Sequence, residues 1–183
     1  MQVLKNAETK MDKSIDSLKR ELAVLRTGRA NSAMLDNIRI DYWGSPTPIN
    51  QIAQVTIPEP TQLAIKPYEQ NILKDIEHAI NEANLGMTPN NDGKIIRLNV
   101  PALTQERRKE LAKKVKGFAE DAKIAIRNVR RDANDELKKM QKSSELTEDD
   151  LKSYNDDVQK LTDKKIKEVD SIASEKEKDI MSM

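Results

Sequence analysis

Three stretches of the chain repeat apolar residues at spacings of three and four, and the stretch between the first and second alternates apolar with polar. Leu4, Ala7, Met11, Ile15, Leu18, Leu22 and Leu25 form the first seam and predict a helix over residues 2–27, stopped by Gly28. A second stripe runs through Leu111, Val115, Phe118, Ala122, Ala125, Val129, Ala133, Leu137 and Met140. The helix that carries it, starting near Thr104, would be roughly 55 Å long at the standard rise per residue. Lys142-Ser-Ser144 interrupts it. Thr147, with Asp150 three residues on, then predicts a capping-box start, and Glu148, Asp149 and Asp150 suit the positive end of a helix dipole. Tyr154, Val158, Leu161, Val169 and Ile172 form the third seam; Lys165 stands where an apolar residue is due, and Ile166 is expected to take its place.

The intervening texture is different. Ile38, Ile40 and Tyr42 alternate with polar residues, as do Ala53, Val55 and Ile57, then Leu63 and Ile65, and finally Ile96, Leu98 and Val100. Gly44-Ser-Pro-Thr-Pro48, Pro58-Glu-Pro60 and Pro67 are expected to break the chain between these strands. Ile72, Leu73, Ile76, Ala79, Ile80 and Ala83 return to helical period before Gly86. Three amphipathic helices can bury their stripes only against one another. The expected fold is therefore α+β: a long antiparallel three-helix bundle built from residues 1–29 and 105–183, with a small β-rich α/β domain of residues 30–104 inserted after its first helix. Two short crossings join the parts, Arg29-Ala30-Asn31-Ser32 and Ala102-Leu103-Thr104-Gln105, and form the candidate hinge.

Composition sharpens this picture. Charged residues make up 34% of the 183 and aromatics 3%, a mix suited to long charged helices rather than a thick globular core. With no Cys and one His, disulfides, thiolate metal sites and His-rich metal sites are excluded, and no metal or cofactor is expected. The N-terminal stretch has no apolar signal-peptide core, and no apolar run approaches the roughly 18 residues of a membrane span, so a soluble, cytoplasmic protein with no membrane partner is expected.

The formal net charge of +1 conceals segregation. Residues 105–142 carry 13 basic and 7 acidic side chains, whereas residues 143–183 carry 7 basic and 12 acidic. On a helical wheel with Leu111 at zero, the apolar stripe lies mostly within about 40°. Lys109, Lys113, Lys116, Lys123, Arg127, Arg130, Arg131 and Lys138 fall between about 100° and 220°, which places them opposite the expected core. Most charged faces are solvated and no more. This one departs from the usual mixture of signs that makes i,i+4 pairs, and it changes from Lys to Arg at residues 127–131. Arginine grips phosphate bidentately and stacks on bases, so a long basic ridge without an aromatic platform fits structured RNA held by phosphate and shape. An enzyme is not expected: there is no Walker loop and no G-x-G-x-x-G, and His78 has no Ser or Cys motif beside it.

Five motifs then carry a resemblance: RTGRA (26–30), GSPTP (44–48), LTQERRKEL (103–111), RNVRRDAND (127–135) and DDVQKLTD (156–163). In order and spacing, essentially end to end, the chain closely resembles the bacterial ribosome recycling factor family. The resemblance implies an L-shaped, non-enzymatic, monomeric protein whose bundle binds RNA of the large ribosomal subunit after termination. It also implies that elongation factor G, hydrolysing GTP, acts with it to split the ribosome into subunits. Carried to matching positions, Arg127 and Arg130 would be the main RNA contacts, with Arg26 and Arg29 next. Arg131, Lys109, Lys113, Lys116 and Lys123 rest on the wheel alone. The rival reading is a coiled-coil scaffold or chaperone that binds protein rather than RNA and has no need of an Arg cluster.

Overall fold

The structure is a computed structural model and describes residues 1–25 and 28–182. The chain divides into two compact units, Met1–Thr27 with Thr104–Met183, and Gly28–Leu103.

The first unit is the bundle. Helix α1 covers Gln2–Ala23, α4 covers Gln105–Lys142 and α5 covers Glu148–Met181, with α4 packed against both others. On α1 the buried residues are Val3, Ala7, Met11, Ile15, Leu18 and Leu22, the expected seam with Val3 in place of Leu4 and without Leu25, which lies past the helix end and is half-buried. The helix ends at Ala23, earlier than the expected residue 27: Val24 already serves as its cap, and Gly28 lies beyond at φ +80°. Thr104 opens α4 by accepting a hydrogen bond from the Arg107 amide at 3.1 Å. The capping box at Thr147 is complete, its hydroxyl accepting from the Asp150 amide while the Asp150 carboxylate accepts from the Thr147 amide, each at 3.1 Å. Those bonds hold the Asp150 carboxyl below its ordinary value.

Lys165 overturns one expectation. Ile166 does not replace it; Lys165 itself occupies the seam, its side chain 8% exposed, with Nζ 2.5 Å from Asp12 Oδ1 on α1 and 3.9 Å from Glu8. The hydrogen bond that the Lys165 ammonium donates to Asp12 is the largest cause of its raised pKa. A long aliphatic stem lets lysine fill an apolar position if its ammonium finds an anion at the end.

The second unit contains two sheets. Strands β1 (Arg39–Tyr42) and β2 (Ser45–Pro48) form a hairpin, and β3 (Ala53–Glu59), β4 (Gln62–Pro67), β5 (Pro89–Asn91) and β6 (Ile96–Asn99) form an antiparallel sheet in the order β3-β4-β6-β5. Helix α2 (Ile49–Ile52) joins the two sheets, and α3 (Leu73–Glu82) precedes β5. The central strands set Leu63 opposite Leu98 and Ile65 opposite Ile96, all fully buried. Ile76 and Ile80 of α3, with Ile38, Ile40, Ile49 and Ile52, complete that core. The Gly44–Pro48 stretch, expected to break the chain, instead supplies both turn and return strand. Asp41 pairs with Pro46 and Arg39 with Pro48. In a hairpin with a two-residue loop these are the non-hydrogen-bonded positions, where a missing amide proton costs no ladder bond. Asp92 stabilises the turn before β6, accepting from the amides of Lys94 and Ile95 at 2.9 and 2.8 Å and from Arg97 at 2.7 Å. These donors, the Ile95 amide first, lower its carboxyl to about 2.

Candidate nucleic-acid interface

The basic ridge lies on α4, but its direction differs from the wheel. The residues α4 buries are Arg108, Leu111, Val115, Ala119, Ala122, Ile126, Ala133 and Leu137. The centre of that face is rotated by about 50° from Leu111, towards the basic sector. The cations therefore run along the flank of the seam beside α5, not opposite the core. Lys123 forms an ion pair with Asp170 of α5, and its side chain is only 20% exposed. Arg130 is half-buried, with Nη1 3.4 Å from Gln159 Oε1, also on α5. Arg127 pairs with Glu120 at 3.5 Å within α4, and Arg131 is exposed with Nη1 3.4 Å from Asn128 Oδ1.

Lys109, Lys113 and Lys116 are exposed along the first half of the same helix and form no ion pair among the described residues. Arg29 is exposed at the start of the second unit; Arg26 lies outside the described residues. The structure thus brings Lys123, Arg127, Arg130 and Arg131 onto two successive turns and a half of one helix; Lys123 is closely paired with Asp170, whereas the three arginines are loosely tied by long hydrogen bonds or an exposed ion pair. Such ties are weak, so exchanging them for phosphate oxygens costs little.

The candidate hinge residues are placed as follows. Asn31 caps a short 3-10 helix that includes Ser32, Thr104 caps α4, and Gln105 is the first residue of α4. Ala30 is buried and its amide donates to the Pro60 carbonyl at 2.7 Å. Leu103 packs against Gly28, the residue before the first crossing: a Cβ added at Gly28 would stand 3.2 Å from Leu103 Cγ.

Two residues escaped the sequence reading. Arg108, inside LTQERRKEL, is 9% exposed; its Nη1 donates to the Met181 carbonyl at 3.3 Å, and its Nε has no partner among the described residues. Its signal was positional, one turn before Leu111 on the buried side. Ile126 was passed over because the stripe had been drawn through Ala125 and Val129, although Ile126 is fully buried. His78 is exposed and lies 3.1 Å from Glu82 one turn on. Among the described residues no cluster of three or more metal-binding side chains occurs, and no helix is long and apolar enough to cross a membrane.

Known proteins with this sequence and fold agree in kind. The family model described as ribosome recycling factor matches residues 18–181. A ribosome-recycling factor of Staphylococcus saprophyticus is 57% identical over 181 residues, covering 99% of this chain and 98% of its own length. That of Geobacillus kaustophilus is 54% identical over 182 residues, covering 100% and 98%. A solution structure of ribosome recycling factor superposes with a TM-score of 0.77 at 38% identity, covering 100% of this chain and 97% of the other. A second neighbour has a TM-score of 0.65 at 43% identity, covering 98% and 97%. It comes from models of the T. thermophilus ribosome recycling factor and the E. coli elongation factor G bound to the E. coli post-termination complex. With the bundle, the inserted sheet unit and near full-length identity above half all in agreement, the chain belongs to the ribosome recycling factor family.

Proposed function

We propose that this chain binds the large ribosomal subunit after translation terminates and, with elongation factor G hydrolysing GTP, separates the ribosome into subunits. The observation that carries the proposal is the cationic run from Lys123 to Arg131 on one helix, whose three arginines are only weakly engaged within the protein. RNA held this way is gripped through phosphate, with Arg127 and Arg130 as the main contacts, Arg26, Arg29 and Arg131 as further contacts, and Lys109, Lys113, Lys116 and Lys123 adding charge along the ridge. Elongation factor G accompanies the neighbour bound to the post-termination complex, which supports it as the partner here. In this reading the inserted unit receives the partner, and the crossings at 29–32 and 102–105 flex as the ribosome splits. The chain supplies no chemistry; GTP is hydrolysed by the elongation factor.

The test is a salt titration of binding to purified large subunits, followed by splitting assays with elongation factor G and GTP. Five arginine–phosphate contacts predict a log–log slope of about −4. A slope near zero, or affinity for unfolded or coiled-coil protein in place of ribosomal subunits, would return the molecule to the scaffold or chaperone class.

A further inference from the structure

Packing accounts for only part of DDVQKLTD, the stretch 156–163 on α5. Val158 and Thr162 are fully buried, with the Thr162 hydroxyl donating to the Val158 carbonyl at 2.7 Å, and Leu161 packs against the same cluster as Val158. Gln159 and Asp163 are exposed, and the core has no need of them. They are joined to each other: Gln159 Nε2 donates to Asp163 Oδ1 at 2.9 Å, one turn on. They are also joined to α4, because Arg130 Nη1 donates to Gln159 Oε1 at 3.4 Å from the middle of RNVRRDAND.

The order of these bonds decides what Arg130 meets. A carboxamide has an oxygen that accepts and an amino group that donates, and the two ends are alike in shape. Turned one way it accepts from a guanidinium; turned the other it sets donor against donor. A carboxylate only accepts, so Asp163 takes the amino end of Gln159 and leaves the oxygen for Arg130. That oxygen is neutral. Lys123 faces the Asp170 carboxylate and Arg127 faces the Glu120 carboxylate, whereas Arg130 forms no ion pair among the described residues. Its charge is thus directed without being cancelled. A guanidinium has five N–H donors in a rigid plane, and a contact through Nη1 leaves the edge formed by Nε and Nη2 free to take two oxygens of one phosphate. The bond to Gln159 need not be exchanged when RNA binds.

We propose that Gln159, oriented by Asp163, is a positioning residue for RNA binding, turning the Arg130 guanidinium so that its Nε–Nη2 edge meets phosphate. The proposal rests on the phosphate contact assigned to Arg130 above and adds the two side chains that aim it.

Salt titrations of binding to purified large subunits test it, with a melting curve for every variant. Gln159→Met keeps the length of the side chain and removes its acceptor. Affinity should fall by about three- to tenfold, the worth of one net hydrogen bond, while the slope of log affinity against log salt keeps the parental value because no phosphate contact is lost. In an Arg130→Ala background the same substitution should change affinity by less than about twofold, since nothing remains to be aimed. Asp163→Ala gives a sign that charge cannot explain. Removing a carboxylate beside a polyanion would by itself tighten binding, whereas loss of the orienting acceptor should weaken it by about threefold. Asp163→Asn, whose carbonyl can still accept from Gln159, should bind at least as tightly as the parent. A surface pair with no role beyond its own helix would alter melting slightly and leave affinity unchanged or raised. Parental affinity in Gln159→Met, an equal loss in both backgrounds, or Asp163→Ala binding as tightly as the parent would each overturn the proposal. If Arg130→Ala itself left binding unchanged, the RNA contact and this proposal would fall together; if it weakened binding while Gln159→Met did not, only the positioning role would fall.

Discussion

Arg130→Ala isolates the ridge. The side chain contributes little to the fold: its hydrogen bond to Gln159 is 3.4 Å long and lies at the surface. Such a bond adds no more than about 0.5 kcal/mol, and the half-buried stem adds a similar amount by covering α5. Melting stability should therefore fall by no more than about 1 kcal/mol. Binding should suffer more. A charge-assisted contact to phosphate is worth about 1.5–3 kcal/mol, which converts to a loss of roughly 10- to 150-fold in affinity for the large subunit. One phosphate contact fewer should also flatten the dependence of log affinity on log salt by about one unit. Arg130→Lys distinguishes charge from shape: it should keep the slope but lose part of the affinity, since an ammonium cannot grip two oxygens in a plane. Equilibrium sedimentation with purified large subunits between about 50 and 200 mM salt measures both quantities. If Arg130→Ala retained the parental slope and affinity while remaining folded, this residue would not touch RNA, and the flank of α4 beside α5 would lose its main claim to the site.

Asp170→Asn should act in the opposite direction, since it releases Lys123 from its partner on α5; a steeper salt slope by up to about one unit is expected, and a slope unchanged or shallower would mean Lys123 is not on the bound face. Asp12→Ala should lower bundle stability by about 1–3 kcal/mol, because it strands the buried Lys165 ammonium, with Glu8 and Glu168 too distant to replace the bond. Lys165→Met should cost less than about 1 kcal/mol, and chemical denaturation that ranked the two variants in reverse would contradict the ion-pair account. The raised Lys165 pKa gives the sign: its pair contributes fully below the ordinary lysine value and fades as pH rises through the folded one, so the Asp12→Ala deficit should persist at neutral pH. Asp92, lowered to about 2, contributes stability above the ordinary carboxylate range that is lost as pH falls towards 2. Thermal melts between pH 5 and 2 should therefore bring Asp92→Asn and parent together in acid; a constant gap would remove the turn from the acid response.

The bundle and the inserted sheet were legible because their periods differ and because proline and glycine concentrate between them. What was not legible follows from how side chains meet partners. The wheel took Leu111 as its origin and drew the apolar stripe through Phe118 and Ala125 as readily as through the residues that are buried. The buried direction is decided instead by where α1 and α5 lie, which brings Ile126 and Ala119 inward and moves Arg130 from the far side to the flank. Period alone also misjudges long amphipathic side chains: Arg108 and Lys165 sit at seam positions with their polar ends carried to a carbonyl or a carboxylate. Strand β2 was read as a break because two prolines argue against a strand, and only pairing register reveals that both fall where no amide is required.

These exceptions differ in a way that bears on function. Lys165 breaks the apolar pattern, and the fold itself accounts for it: Asp12 waits across the bundle. Pro46 and Pro48 break strand propensity, and register accounts for them. Arg127, Arg130 and Arg131 have no comparable answer within the chain. They are satisfied only by long or exposed contacts. Where local rules fail and nothing inside the protein compensates, the compensation lies in what the protein touches.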